Sequence, residues 1–561
     1  MAGILGLLLL LLAAYLVPRV YYWHGVSAAV HHRFLDMHGH QVNLDTLCRQ
    51  STLPAQALED PFITQGEGRL DKQMYNPVRW PHGLYHVAAL WGCSLGVLSP
   101  WTTRLTNLLF TVVLLMGMLG LTRELTSEVG PRGRGREGLL GLWAGVLTLL
   151  TPPLLGSSLF FHLDYPLVAM VTVGLYLLVR TRGLTHRLAT VNFAIWSVLG
   201  LFIKLTYAIY LIFPVLALLL ALLLRRRWRP ALEVLVMVLL VAVSSVVIQH
   251  IDLAVLFNDI KDHVSRPLFS GHEYLLKEQG TLRWAVLPLI LTWFAYPWPL
   301  LLLALPGLIR CHFGGRVTLN RLLLVTAIWG PVLLLCLLNN RMERYMHPVY
   351  PLLSLVTVMG AAALIPRRWL HPVLALVAAL FVGVLAYSHL GRPLPWFSSE
   401  EQMIHDQFFY ETLIPDRGQL QRLHNNGFHP QCDTAGLRQG IDEVMRLAPP
   451  YLPLVVGVNG GKNRMEFVEN TRGLDNYLHL YTLQQVRGRF IFELDLSLSE
   501  PEHRRKALRA PLILSLHHPN EPTDSLLPNH VPVVRRMVNI SCPEISLNKE
   551  LVLYRRLPAS Q

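Results

Sequence analysis

The chain has 561 residues, of which 52% are hydrophobic and only 15% are charged. Soluble domains carry about 25% charged residues, so this composition excludes an ordinary soluble protein and indicates a polytopic membrane protein. The formal net charge is +13. Most of the excess is Arg in short links between apolar runs, a pattern typical of cytoplasmic loops, and it indicates no nucleic-acid partner.

Apolar runs long enough to form membrane helices recur from the N-terminus to residue 390. A spanning helix needs about 20 mostly apolar residues, and on that basis we predict about eleven helices. They are expected near 3–23, 101–122, 138–155, 163–180, 188–204, 206–224, 231–250, 284–309, 322–338, 346–365 and 371–390. The first run is followed by Arg19 rather than by a small-residue cleavage site, so we interpret it as an uncleaved helix. Lys204 marks the expected join between two of the helices.

Basic residues orient these helices. The links 123–137, 180–187, 225–229, 310–321 and 367–368 hold 16 Arg in 42 residues. The loops 24–100 and 251–283 hold 9 Lys or Arg and 11 acidic residues in 110 residues. With a cytoplasmic N-terminus, every Arg-rich link is cytoplasmic and both long loops lie outside. This requires that residues 81–98 do not span, and we predict an amphipathic helix along the outer interface there.

The composition changes after residue 390. Residues 391–561 contain no spanning segment, strand-like runs at 454–458 and 490–494, and a helical stretch at 437–447. We therefore predict a transmembrane domain, 1–390, that includes the two outer loops, and an extracytoplasmic α/β domain, 391–561. Four of the six cysteines are expected to face outward: Cys48, Cys93, Cys432 and Cys542. Two of them could form a disulfide, or all could be free thiols.

Charged groups close to the membrane are costly and are therefore candidate functional residues. Asp164 precedes Pro166 at the outer start of a predicted helix, where it could cap the helix, bind a ligand, or do both. Lys204 either extends toward the interface or meets a phosphate. Further outer-loop candidates for holding a phosphate are His272, Arg341 and Arg344.

The first outer loop is rich in titratable groups. The candidates for a catalytic base in this loop are Asp36, Asp45 and Asp60. The candidates for contacts with an acceptor are Glu59, Asp71 and Tyr85. Histidines crowd the start of the same loop, and with carboxylates they could bind a divalent metal ion, although no metal-ligand spacing accompanies them: His31, His32, His38 and His40.

Several stretches, in this order, resemble motifs of the GT-C-fold glycosyltransferases that use dolichyl- or polyprenyl-phosphate sugars, the group of the protein mannosyltransferases and the bacterial aminoarabinose transferase. The stretches are 76–85, 96–105, 162–167, 200–204, His272 with 296–298, and 341–351. The resemblance covers about residues 1–390. It implies a metal-independent or metal-assisted, inverting transfer of a sugar from a lipid-phosphate donor on the outer face, with no required cofactor.

The resemblance departs from the family at one place. The family usually has an Asp-Glu pair directly after the first helix, whereas this chain has Tyr22-Trp23-His24 there, and its first acidic residue is Asp36. The catalytic carboxylate is therefore expected among Asp36, Asp45, Asp60 and Asp164, with the donor phosphate held by Lys204, His272, Arg341 and Arg344.

The sequence leaves three functions open. The first is a glycosyltransferase of a bacterial plasma membrane that acts on a lipid, glycan or protein acceptor at the periplasmic or extracellular side. The second is a non-catalytic lipid-binding scaffold, which the absent Asp-Glu pair keeps open. The third is a secondary transporter, which would usually show repeat-related halves that this chain lacks.

Overall fold

The computed structural model describes part of the chain. The described ranges are 81–95, 100–127, 137–151, 161–249, 298–313, 318–337, 343–389, 435–447, 454–458, 493–497, 508–517, 523–541 and 546–557, with isolated positions at 44, 47–48, 154, 157–158, 254, 257, 261, 504–505 and 519. The chain forms two compact units. The helical unit comprises residues 1–20, 76–88 and 103–418, and the second unit comprises residues 21–75, 89–102 and 419–561.

Helices occupy the predicted spans wherever the structure describes them. They are α1 Gly83–Leu95, α2 Pro100–Ser127, α3 Glu137–Leu150, α4 Asp164–Arg180, α5 Arg187–Ile203, α6 Tyr207–Leu224, α7 Trp228–Gln249, α8 Trp298–Phe313, α9 Leu319–Leu337, the 3-10 helix Glu343–Val349, α10 Tyr350–Leu364 and α11 Arg367–His389. Within the described residues, four helical segments are long and apolar enough to cross a membrane: Trp101–Leu125, Tyr207–Leu224, Trp228–Gln249 and Tyr345–Leu364. The count of eleven stays a prediction, and the first span, 3–23, lies outside the described residues.

The predicted join at Lys204 is confirmed. Helix α5 ends at Ile203, Lys204 is extended with φ −159° and ψ 129°, and α6 begins at Tyr207. The Tyr207 ring fills a slot between α4 and α5, since a Cβ added at Gly174 or Gly200 would lie 2.3 Å or 2.5 Å from that side chain. Two glycines thus let α6 start close against its neighbours.

Helices α8 and α10 approach each other through glycines. A Cβ added at Gly360 would lie 1.9 Å from the Leu303 carbonyl oxygen, and one at Gly307 would lie 2.1 Å from that of Val356. Small residues of this kind allow helix backbones to meet closely, which is the usual source of packing energy between helices in lipid.

The segment predicted to lie along the interface forms the 13-residue helix α1. At about 1.5 Å per residue it is roughly 20 Å long, shorter than the 30 Å hydrocarbon core that a spanning helix must cross. Its placement along the interface stays a prediction. In the second unit, Cys93 near the end of α1 forms a disulfide with Cys48, which decides between the two alternatives left open for these thiols.

The second unit contains a five-stranded sheet of order β2-β1-β3-β5-β4. Its elements are α12 Ala435–Leu447, β1 Leu454–Val458, β2 Glu493–Ser497, β3 Leu512–His517, α13 Thr523–Leu526, β4 His530–Ser541 and β5 Ser546–Arg556. Strand β1 pairs in parallel with β2 and β3, whereas β5 pairs antiparallel with β3 and β4. The predicted α/β class is confirmed, and β2 begins at Glu493, three residues after the start of the strand-like run at 490–494. The domain boundary at residue 390 stays a prediction.

Apolar side chains cover both faces of this sheet. One face is packed with Ile513, Val552 and Tyr554, which form a core with Ala510 and Leu527. On the other face, α12 lies against β4 and β5, because a Cβ added at Gly440 would lie 3.2 Å from Val538. The helix buries Leu437, Ile441 and Val444, at the spacing of one helical face.

Candidate functional site

Asp164 is the first residue of α4. The helix N-cap position belongs to Leu163, which has no side chain able to cap, so Asp164 is an acidic residue of the first turn rather than the cap itself. A carboxylate there is favoured by the positive end of the helix dipole. The residue is 3% exposed, so its charge needs a partner.

Lys204 provides that partner. Its ammonium nitrogen contacts the Asp164 carboxylate oxygen Oδ1 directly. The two side chains are 14% and 4% exposed, respectively. The ammonium can reach α4 because the backbone leaves helical geometry at this residue, where the Lys204 carbonyl accepts from the Tyr207 N–H at 2.9 Å. The break between α5 and α6 therefore places a cation beside an anion in an apolar bundle.

His162 lies on the other side of the carboxylate. Its Nδ1 is 3.0 Å from Asp164 Oδ2 and 3.2 Å from the Asp164 backbone nitrogen. A protonated Nδ1 donates to the carboxylate, whereas an unprotonated Nδ1 accepts from the backbone N–H, so one nitrogen makes one of the two bonds at a time. Asp164 is thus bracketed by Lys204 and a titratable ring.

An aromatic ring also lies close to the Lys204 ammonium. Tyr345, in the 3-10 helix, has its ring centroid 5.7 Å from Lys204 Nζ, within the range of a cation–π interaction. Its backbone carbonyl accepts a hydrogen bond of 2.6 Å from the Tyr210 hydroxyl on α6. Arg344 directly precedes Tyr345, so the chain places a predicted phosphate-binding residue next to this ring.

Helix α1 packs against the end of α5 close to Lys204. A Cβ added at Gly83 would lie 2.6 Å from the Phe202 carbonyl oxygen, so only glycine permits this approach. The His86 ring stacks on that of Phe202, with centroids 5.7 Å apart. Tyr85, predicted to contact an acceptor, is fully buried.

The remaining predicted site residues fall where the structure gives no side chain. Arg344 is described by its backbone alone, within the 3-10 helix. Outside the described residues lie Asp36, Asp45, Asp60, Glu59, Asp71, His272 and Arg341, as does the cluster of His31, His32, His38 and His40. The part of the chain that the structure describes contains no group of three or more His, Cys, Asp or Glu able to hold a metal ion. The predicted roles of all these residues stay predictions.

Three residues around the pair were not among the predicted site residues. His162 and Tyr345 stand in the motifs 162–167 and 341–351, so their sequence position contained a signal. Tyr210 had a weaker signal: it is one of two tyrosines in a largely aliphatic helix, three residues after Tyr207, and a buried hydroxyl usually has a partner.

Comparison with known proteins finds solved structures of similar fold. No protein-family model matches the chain, and no curated protein matches it. It is similar to ArnT from Cupriavidus metallidurans bound to undecaprenyl phosphate, with a TM-score of 0.52 and 15% identity over 98% of each chain. It is also similar to the apo state of that protein, with a TM-score of 0.51 and 14% identity over 98% of each chain. The likeness shows the fold, so the predicted GT-C-like fold with its C-terminal sheet is confirmed.

Proposed function

We propose that this chain, an integral membrane protein with the fold of ArnT, is a glycosyltransferase that uses a polyprenyl- or dolichyl-phosphate sugar. Its acceptor is a lipid, a glycan or a protein. The expected setting is a bacterial plasma membrane, with the site on the periplasmic or extracellular side, where the positive-inside pattern places the long loops. The solved ArnT structure bound to undecaprenyl phosphate supports the choice of lipid.

The contact between Lys204 and Asp164 carries the proposal. Ionisable residues inside a membrane bundle are expensive, and they usually mark a functional site. Both residues lie in stretches that resemble GT-C motifs, 200–204 and 162–167, and the fold brings them together from 40 residues apart. A cation held at a helix break beside the first turn of another helix is well suited to meet the anionic phosphate of a lipid donor.

The reaction requires charge stabilisation and a base. The bond between the anomeric carbon and the phosphate oxygen breaks, and the lipid phosphate leaves with the electron pair. A bond forms between the acceptor oxygen and the anomeric carbon from the opposite face, which inverts that centre, and the acceptor proton passes to a carboxylate. Lys204 offsets the charge that develops on the phosphate, together with His272, Arg341 and Arg344.

Asp164 is better suited to position Lys204 than to accept the proton. Its carboxylate oxygens already contact the ammonium and the His162 ring, so both are engaged before an acceptor arrives. The base is therefore proposed among Asp36, Asp45 and Asp60. The residues proposed to contact the acceptor are Glu59, Asp71 and Tyr85. The proposed reaction requires no metal, and a divalent ion bound in the first loop would assist departure of the phosphate.

Mass spectrometry of lipids and glycans tests this function in cells. Cells that lack the chain should accumulate a polyprenyl-phosphate sugar and lose one glycosylated product, and the wild-type chain should restore that product. Lys204→Met should not restore it, and Asp36→Asn, Asp45→Asn and Asp60→Asn should identify the base. The matched control is Arg225→Ala, at the far end of α6, which should restore it fully.

Each contrary outcome identifies a different function. Unchanged lipids and glycans in cells without the chain would exclude the transferase. Binding of undecaprenyl phosphate by the purified chain without any turnover would leave a lipid-binding scaffold. Uptake of a solute by vesicles that contain the chain, with no change in glycans, would leave a transporter.

A further inference from the structure

Tyr210 links the two parts of the site that are proposed to hold the donor phosphate. Lys204 stands at the break between α5 and α6, whereas Arg344 and Tyr345 stand in the 3-10 helix 140 residues later in the sequence. The Tyr210 hydroxyl, on α6, donates to the Tyr345 carbonyl at 2.6 Å. This bond ties α6, which begins directly after Lys204, to the segment that carries the second predicted cation.

The hydrogen bond is sheltered from water. Tyr210 is 2% exposed, and Tyr345 is partly buried. Removing the donor of a buried hydrogen bond removes what that bond contributes to holding the two segments together. The Tyr210 hydroxyl therefore contributes to holding the Tyr345 backbone in place.

The position of Tyr345 in turn affects Lys204. The ring lies 5.7 Å from the ammonium nitrogen, and Asp164 contacts the same nitrogen. The ammonium therefore makes two interactions with different elements, an ion pair with a carboxylate on α4 and a cation–π contact with an aromatic ring on the 3-10 helix. A displacement of the Tyr345 backbone would therefore displace this aromatic face relative to the ammonium.

We infer that Tyr210 is a positioning residue for donor binding: its hydroxyl ties the 3-10 helix to α6, and with it the Tyr345 ring that faces the Lys204 ammonium proposed to meet the phosphate. The inference rests on the proposed function for the identity of the ligand. It does not rest on that function for the geometry, because the effect on Lys204 is measurable without any lipid.

The first experiment measures binding of undecaprenyl phosphate to the full chain in lipid nanodiscs. Tyr210→Phe should weaken binding by about three- to tenfold, the equivalent of one net hydrogen bond. The matched control is Tyr207→Phe, on the same helix and equally buried. Its hydroxyl lies 3.4 Å from Ser197 and, among the described residues, makes no bond to the 3-10 helix. It should bind undecaprenyl phosphate like the wild type. Both variants keep their ring, so their melting temperatures should be similar.

The second experiment measures how fast an amine-specific reagent labels Lys204, by mass spectrometry of the same samples without added lipid. Tyr210→Phe should raise the labelling rate severalfold over the wild type and over Tyr207→Phe, and Tyr345→Leu should raise it at least as much. Equal labelling of Tyr210→Phe and wild type would overturn the inference. A wild-type chain that binds no undecaprenyl phosphate, yet shows the labelling difference, would refute the proposed lipid and leave the positioning role intact.

Discussion

The helical unit and the C-terminal sheet domain each contain an ion pair, and these two pairs lie in different surroundings. Lys204 and Asp164 have side chains 14% and 4% exposed, whereas Arg535 and Asp524 in the sheet domain are 39% and 56% exposed. Exposed pairs contribute about 0–1 kcal/mol because water and salt screen them. A buried pair is costly to form and more costly to break. The loss of the buried pair should therefore cost more than the loss of the exposed one, and the proposed function uses the buried pair.

The largest expected effect follows from breaking the buried pair. Lys204→Met should leave Asp164 buried without its cation and lower the free energy of unfolding by about 3–5 kcal/mol. Adding Asp164→Asn should recover most of that loss, since no lone charge remains. Thermal unfolding of both variants in detergent checks this, and equal destabilisation of the single and double variants would show that the pair does not carry the effect.

The next effect concerns the helical packing that supports the site. Gly360→Ala should force α8 and α10 apart, because the added carbon would meet the Leu303 carbonyl, at a cost of about 1–3 kcal/mol. Gly138→Ala is the control, because nothing lies within 4 Å of its added carbon and alanine favours a helix. If both variants melted at the same temperature, the close approach of the two helices would be wrong.

A smaller effect is expected from pH in the sheet domain. The ring nitrogen Nε2 of His530 lies 2.9 Å from the Ala510 carbonyl oxygen and donates to it, and Nδ1 is buried without a hydrogen-bond partner among the described residues. Burial lowers the pKa of His530 below its ordinary 6.5. The unfolded chain therefore binds a proton that the folded domain excludes.

The stability of the sheet domain should therefore fall as the pH is lowered. The contribution of His530 to stability is complete above about pH 6.5, the ordinary histidine value, and is lost as the pH falls from there through the folded pKa. His530→Gln can still donate to Ala510 but does not titrate, so it should flatten the dependence of stability on pH between 7 and 5. Unfolding of the full chain, followed by a probe in the sheet domain, measures this, and an unchanged slope would exclude His530 as its source.

The smallest effect should come from the exposed pair. Hydrogen bonds from Tyr554 and Arg535 lower the pKa of the Asp524 carboxyl, and Arg535 also donates to Glu550 at 3.3 Å. Arg535→Ala should cost no more than about 1 kcal/mol, and less at high salt. A loss as large as that of Lys204→Met would remove the contrast between the two regions.

Periodicity and composition were sufficient to predict the helices, because a membrane span must be apolar along its length and a charged residue interrupts it, as at Lys204. They identified Asp164 and Lys204 as candidates but not as partners, since contacts between distant residues depend on how helices pack. The bond from Tyr210 to Tyr345 spans 135 residues and depends on that packing. Likewise, the pairing of Cys48 with Cys93 and the strand order of the sheet follow from tertiary structure and not from local pattern.

The central claim is that Lys204 serves transfer from a lipid-phosphate sugar, and it is tested most directly in a membrane extract from cells that lack the chain. Purified wild-type chain added to that extract should convert the accumulated polyprenyl-phosphate sugar to polyprenyl phosphate, with an equal amount of sugar appearing on an acceptor. The Lys204→Met chain, stabilised by Asp164→Asn, should release at most about one hundredth as much polyprenyl phosphate. A loss of that size is expected when several kcal/mol of transition-state stabilisation are lost. Equal release by the two chains, or release by neither, would contradict the account.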